Sequence, residues 1–377
     1  MSAPMTRQTW RGARIFDGTA LVPAGQLVTE AGRIVAILPP GSPAEGQVHE
    51  LDGGILAPGF VDLQVNGGGG RLLGQGDPDA EIAAICATHA ALGTTGLLPT
   101  LITADPDITR AVLAAGLRAA RAGLPGFLGL HLEGPFLDPR RKGAHEASLF
   151  RALTDDDLAE LIGAAQNLPA LMVTLAPEAA RPSQIAALTA GGVVVALGHS
   201  DCAEEPARAA FDAGASCVTH LYNAMSPLTH RAPGLVGAAL DAPVWAGIIP
   251  DGVHVAKAAF RIALAAKPGR VFAVSDAMAV AGTSAQEFLL NGRVIRRSEG
   301  RLTLADGTLA GADVSLPQGL AWMVRTAGVP LAEALAMVTS RPARVLGLTD
   351  RGVLVPGARA DLVHLDDDLR VRAVWAA

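Results

Sequence analysis

Apolar residues in this chain cluster in short runs that end on a polar residue or a glycine, and longer amphipathic segments separate them. A short apolar run bounded by turn residues reads as a buried strand, and a 3.6-residue period reads as a helix. From Phe60 onward the pattern predicts strands at Phe60–Val65, Thr94–Leu98, Phe127–Leu132, Leu171–Leu175, Val193–Gly198, Ser216–Thr219, Val244–Ile249 and Arg270–Ser275. It predicts helices between them at Ala80–Leu92, Ile108–Ala122, Leu158–Ala165, Pro182–Ala190, Glu204–Ala213 and Ala256–Lys267. Eight strands alternating with helices argue for an α/β fold, parallel units closed into a (β/α)8 TIM-type barrel.

The two ends of the chain have a different rhythm. Up to about Leu56 the residues read as β, with Leu27–Thr29 and Arg33–Leu38 flanking a hairpin turn at Glu30-Ala31-Gly32. Val353–Val355, Asp361–Leu365 and Arg370–Val374 repeat that character. The expectation is a small β-sandwich domain built from residues 1–57 and 352–377, around a barrel spanning 58–351. Within the barrel, Gln286–Leu304 breaks the alternation and reads as a β insertion near 286–304. Helices at Gln318–Thr326 and Leu331–Thr339 complete it.

Chemistry enters at the strand ends. The third run delivers Glu133, the fifth His199, the sixth His220 and the eighth Asp276. A strand that ends by presenting a polar side chain is the layout of a barrel active site. One such residue alone would read as a satisfied turn. Four, each ending a different strand, do not. One Glu and two His suit a catalytic Zn²⁺ with a position left for water, leaving Asp276 as a base.

Composition narrows the partners. Half the residues are hydrophobic but only 4% are aromatic, so the core should be aliphatic. The net charge is −6 with no basic run, which argues against a nucleic-acid partner. No apolar stretch is long enough to span a membrane, and Met-Ser-Ala-Pro-Met-Thr-Arg lacks a signal-peptide core, so a cytoplasmic location is expected. Cys86, Cys202 and Cys217 are widely spaced and read as reduced thiols.

Six motifs follow in order: Asp62-Leu-Gln64-Val-Asn66-Gly67, His131-Leu-Glu133-Gly-Pro135, Gly198-His199-Ser200, Thr219-His220-Leu-Tyr-Asn223-Ala224-Met225, Asp251-Gly-Val-His254 and Ser275-Asp276-Ala277. Together they resemble the N-acetylglucosamine-6-phosphate deacetylases of the amidohydrolase superfamily. The resemblance implies hydrolysis of N-acetyl-D-glucosamine 6-phosphate in amino-sugar catabolism. The nearest alternatives are the galactosamine counterpart and another cyclic-amide amidohydrolase. A non-catalytic barrel, a different class, would be expected to lack one of the four core residues.

By the same resemblance, Glu133, His199 and His220 would hold one divalent metal per subunit, zinc first, with Fe²⁺, Co²⁺ or Mn²⁺ as alternatives. A cation there lowers the pKa of a coordinated water to about 7. Amidohydrolases often place H-x-H on the first strand to help hold a second metal. Here Gln64 and Asn66 stand there, which resembles the one-metal branch and leaves both to bind water or substrate. Asp276 would shuttle the proton. His145 would polarise the acetyl carbonyl, its charge aiding the oxyanion. Ala144, Asn223, Ala224, Arg231, Asp251, His254 and the loop Leu309-Ala310-Gly311 would contact the sugar phosphate. The family's loop usually carries Ser, and a smaller polar residue is common where Met278 stands, so these two departures bear on which sugar is taken. The resemblance further implies a homodimer, with Arg231 reaching the phosphate across the interface. His131, two residues before Glu133, could orient a ligand from behind. His49, His89 and His364 read as packing or surface residues.

Overall fold

A computed structural model describes residues 7–377. Eight strands form one parallel sheet in sequence order: β1 (Phe60–Val65), β2 (Thr94–Ile102), β3 (Leu130–Glu133), β4 (Leu171–Leu175), β5 (Val194–Leu197), β6 (Cys217–Val218), β7 (Trp245–Ile248) and β8 (Val271–Ala273). Nearly every residue of these strands is buried, as expected where helices cover the outer face and side chains fill the inside. The helices are α1 (Pro78–Ala91), α2 (Pro106–Ala122), α3 (Asp155–Ala165), α4 (Pro182–Ala190), α5 (Glu204–Asp212), α6 (Gly234–Asp241) and α7 (Lys257–Ala266), followed by Leu316–Trp322, Leu331–Val338 and Ser340–Val345. None is long and apolar enough to cross a membrane. All three cysteines are free and buried.

Several elements depart from the pattern-based reading. Strand β2 runs on through Pro99 to Ile102. Proline lacks the N–H a ladder needs, and the register with β1 shifts there. The Thr100 hydroxyl takes up the slack by accepting the Val65 N–H at 2.9 Å. Strand β3 starts only at Leu130, and Phe127 makes a single bridge to Leu97. Helix α6 was not foreseen because Gly234–Leu240 are all buried and present no polar face.

The terminal segments form two further sheets. One orders Arg33–Leu38, Gln26–Glu30, Arg7–Arg11 and Gln47–Glu50. The other interleaves both ends of the chain: Val371–Trp375, Leu362–Leu365, Ile55–Pro58, Arg14–Phe16 and Leu21–Val22. Trp10, Ile15, Leu27, Leu56 and Leu362 make their shared core. Val353–Val355 is not a strand. Its Leu354 plugs that same core while its N–H donates to Asp17 O at 2.8 Å. Only Gly59 separates Ile55–Pro58 from β1, and a Cβ there would come within 2.0 Å of Thr95 Oγ1.

The insertion has four antiparallel strands, Glu287–Leu290, Arg293–Ser298, Arg301–Thr303 and Leu309–Ala312. Asn291 and Gly292 both have positive φ, as a two-residue hairpin turn requires. The segment at Leu309, read as a loop from sequence, is therefore the insertion's last strand.

The barrel closes between β8 and β1, and side chains complete that seam. Strand β8 ends at Ala273. The Ser275 N–H then donates to both carboxylate oxygens of Asp62, each at 3.2 Å. Next, the Asp276 N–H donates to Gln64 O at 3.0 Å and the Asn66 N–H to Ala277 O at 2.9 Å. At the other end of the seam Arg341, from the helix Ser340–Val345, donates to Val271 O at 3.0 Å.

Asp62 is fully buried, and burial lifts its carboxyl to about 7. Asp62→Ala should lower the unfolding free energy by roughly 2–4 kcal/mol, since the Ser275 N–H loses its acceptor in a buried wall. The folded pKa lies above the unfolded one, so this group's stabilisation is full below about pH 4 and is lost as pH rises through about 7. Denaturant unfolding near pH 5 and pH 8 should find a wider gap between wild type and variant at the lower pH. Equal gaps would mean that Asp62 stays ionised in the folded chain.

Candidate active site

Glu133 is the last residue of β3, His199 lies two residues past β5, and His220 two past β6. The barrel therefore aims all three at one point. His199 Nε2, His220 Nε2 and Glu133 Oε1 form a triangle with every edge 3.1 Å. His199 Nδ1 donates to Arg141 O at 2.8 Å, which leaves a bare lone pair on Nε2. Two ring nitrogens and a carboxylate oxygen meeting at this distance need a shared cation or protons between them. Tetrahedral donors around zinc, each at about 2.0–2.1 Å, lie roughly 3.3 Å apart, so the triangle fits such an ion. The Glu133 carboxyl is held well below its ordinary range: burial alone would raise it, and the two histidines more than offset that.

His145 is the next group to the triangle. Glu133, His145 and His199 each offer an atom within 4.8 Å of the others. Its hydrogen bonds decide against a fourth ligand. The Thr103 N–H points at His145 Nδ1 at 3.4 Å, and the Thr103 hydroxyl lies 2.9 Å from the same atom. With its lone pair engaged at Nδ1, the ring carries its proton on Nε2 and is a donor there. Burial pushes His145 down to about 3, so it is neutral. With Nδ1 engaged by Thr103, the structure favours a neutral His145 that donates from Nε2, where the sequence reading expects a charged ring.

Asp276 lies three residues past β8, opposite the triangle. Its Oδ1 accepts from Asn66 Nδ2 at 2.6 Å and from Gln64 Nε2 at 3.2 Å. Oδ2 takes neither of these bonds, and Asp276 lines the cavity described below. Burial, reinforced by the Glu133 charge, raises the Asp276 carboxyl to about 6. Gln64 Nε2 also reaches both Glu133 oxygens at 3.3 Å. The Asp276 backbone is clamped on both sides, by Gln64 O and by the Ala312 N–H at 2.9 Å.

A cavity of about 460 Å³ covers these groups. Asn66, Ala144, Asn223, Ala224, His254, Leu309, Ala310 and Gly311 line it, together with Glu133, His145, His199, His220 and Asp276. Three residues expected at the site do not line it. Gln64 lies beneath. Asp251 holds His254 by Oδ2 to Nδ1 at 2.6 Å, acting through that ring. Arg231 is exposed on its loop, outside this chain's own cavity. His131 makes no bond to a ligand: Nε2 meets the Thr174 hydroxyl at 2.7 Å inside the barrel. His49 stacks on Trp10, His89 bonds Gly67 O and His364 bonds Gly53 O.

Sequence reasoning missed Thr103, which sets the His145 tautomer, and Arg293, whose guanidinium bonds Ala144 O and so ties the insertion to the His145 loop. Extending the second strand past Pro99 would have put Thr103 at a strand end. Nothing in the sequence marks Arg293. Backbone strain marks the site too: His199 (φ 48), His220 (φ 29) and Asp276 (φ 50) all occupy the left-handed region.

The chain matches the Amidohydrolase family over residues 55–376. It is 38% identical over 334 residues to an N-acetylgalactosamine-6-phosphate deacetylase of Shewanella sp. (strain ANA-3), covering 87% of this chain and 84% of that protein. The crystal structure of N-acetylglucosamine-6-phosphate deacetylase from Pasteurella multocida superposes with a TM-score of 0.94 at 32% identity, covering 98% of each chain. A mutant of the Mycobacterium smegmatis N-acetyl-D-glucosamine-6-phosphate deacetylase, in complex with N-acetyl-D-glucosamine-6-phosphate, gives 0.91 at 36% identity, covering 99% of this chain and 98% of that one. A match that begins in the strand before the barrel and runs almost to the last residue makes this chain a member of the amidohydrolase family.

Proposed function

We propose that the chain hydrolyses the acetamide of N-acetyl-D-glucosamine 6-phosphate, releasing D-glucosamine 6-phosphate and acetate in the cytoplasm. The observation that carries this reading is the Glu133–His199–His220 triangle faced by Asp276 in one cavity. Glu133, His199 and His220 would hold one divalent cation per subunit, zinc first among candidates. Bound there, it supplies Lewis-acid polarisation and a lowered pKa for water.

The chain's own residues do the rest. Asp276 Oδ2 takes the proton of the attacking water and returns it to the leaving nitrogen. Asn66 and Gln64 hold Oδ1, so the carboxylate cannot turn away. The His145 Nε2–H donates to the carbonyl oxygen as negative charge develops there. Asn223, the Ala224 backbone and His254 lie past β6 and β7, and would receive the phosphate. Arg231 would reach that phosphate from a second subunit, which its exposed place outside its own cavity supports. The galacto epimer is the second reading, and it is the activity that the Shewanella relative is named for.

Purified protein assayed on both epimeric 6-phosphates and on unphosphorylated N-acetylglucosamine tests the reading. The phosphorylated gluco sugar should exceed the unphosphorylated one by at least about 100-fold in kcat/KM, because each charge-assisted hydrogen bond contributes roughly 1.5–3 kcal/mol. Equal efficiency on both would reject the phosphate assignment, and a better galacto substrate would favour the second reading. Metal analysis of the same sample should give one ion per chain.

Asp276→Asn should lower kcat by roughly 10²–10⁴ with metal content unchanged. In the wild type, activity should fall as pH drops through about 6, where Asp276 takes up a proton and ceases to be a base. Near-normal turnover of the Asn variant would exclude the role.

Refolding Arg231→Ala with Asp276→Asn as a mixture separates the two arrangements of Arg231. With Arg231 acting across an interface, the mixed dimer holds one site with both residues intact, and activity recovers above the average of the two variants. Activity at or below that average would place Arg231 in its own subunit's site.

A further inference from the structure

A second cavity, of about 340 Å³, lies against the first. The two share Asn66, Ile102, Met278 and Leu290 as lining. Ile102, Met278 and Leu290 also pack together in one hydrophobic cluster. The partition between the cavities is thus made largely of apolar side chains. Beyond it Leu72, Leu101, Ile108 and Leu149 are the apolar part of the lining, Gln75 and Asn291 belong to its polar part, and Asp105 and Glu146 are its acids. No Lys, Arg or His lines this space.

Two hydrogen bonds fix its relation to the chemistry. Thr103, on its wall, holds His145 Nδ1, and Asn66, on the partition, holds Asp276 Oδ1. The second cavity therefore lies behind the carbonyl-polarising donor and the proton carrier, on the β1–β2 side. The groups that would take the phosphate, Asn223, Ala224 and His254, follow β6 and β7, across the mouth. A substrate spanning from there to His145 directs its acyl substituent at the partition.

We propose that the second cavity is a chamber for the acyl chain, so that the chain cleaves amino-sugar 6-phosphates whose N-acyl group is longer than acetyl. The inference rests on the reading of the site as a hydrolase of 6-phosphorylated N-acyl sugars. The reaction needs no further reactant. Water's oxygen bonds the acyl carbon, the C–N bond breaks, and one water proton passes through Asp276 to nitrogen, giving a free amine and a longer carboxylic acid that releases its remaining proton to solvent. Met278 is the movable part of the partition. Its three rotatable bonds let it re-pack, and it lies directly over Gly311, where a Cβ would come within 2.4 Å of its Cγ. An exit path for acetate fits the same space less well, since Asp105 and Glu146 would repel a carboxylate and no Lys, Arg or His among the described residues lines the space.

The test uses the metal-loaded, full-length protein with N-acetyl-, N-propanoyl- and N-butanoyl-glucosamine 6-phosphate, following release of free amine. The longer substrates should keep kcat/KM within about tenfold of acetyl, whereas a closed acetyl pocket would lose roughly 10–200-fold per methylene. Ile108→Trp and Leu149→Phe, which fill the chamber from two different walls, should change acetyl release by less than about threefold and lower butanoyl release by at least about 30-fold. Acetyl-only release by the wild type overturns the chamber and leaves the deacetylase reading standing. An acyl preference unchanged in both variants also overturns it. No amine from any substrate rejects the deacetylase reading and the chamber together.

Discussion

The site depends on a buried carboxylate in the barrel wall. A parallel barrel must join its last strand to its first, yet here the last strand has to stop early and turn Asp276 inward. Asp62 makes that possible by accepting the Ser275 N–H where the strand ladder has already ended. Because the seam is closed at Ser275, the next residue lies within reach of Gln64 and Asn66 on β1. The insertion's last strand then bonds the Asp276 carbonyl from the other side. Wall, Asp276 and insertion are one hydrogen-bonded unit, and the Glu133–His199–His220 triangle faces it.

Within that unit two buried carboxylates are driven in opposite directions. Glu133 is kept ionised by two histidines, while Asp276 is raised into the range where a proton can come and go. Gln64 stands between them and donates to both. A neutral amide at that position screens two negative groups without adding a charge of its own. That is why one residue on the first strand bears on both Glu133 and Asp276.

Much of this was legible in the chain. The strands that deliver Glu133, His199, His220 and Asp276 stood out because parallel strands buried on both faces are continuous apolar runs, and a polar residue at their end is conspicuous. What was hidden had physical reasons. Helix α6 is buried on all sides and has no amphipathic stripe to read. Leu309–Ala312 is three-quarters Ala and Gly, which are poor strand formers, and pairing holds it in place. The grip of Asn66 on Asp276 crosses a seam 210 residues apart in sequence, and the neutral state of His145 follows from a burial that no loop sequence announces.

The left-handed backbone at His199, His220 and Asp276 limits which amino acids could ever occupy those places. Asn, Asp, His and Gly enter that region at low cost, whereas β-branched and bulky residues do not. Replacement of His199, His220 or Asp276 by drift would thus pass most easily through Asn or Gly, which keep the barrel folded. Conversion of these positions to Val, Ile or Thr would meet a conformational penalty before any loss of chemistry was felt. The architecture therefore leaves open a short route from an active hydrolase to an inert look-alike, and the backbone angles say which residues would mark a chain that had taken it.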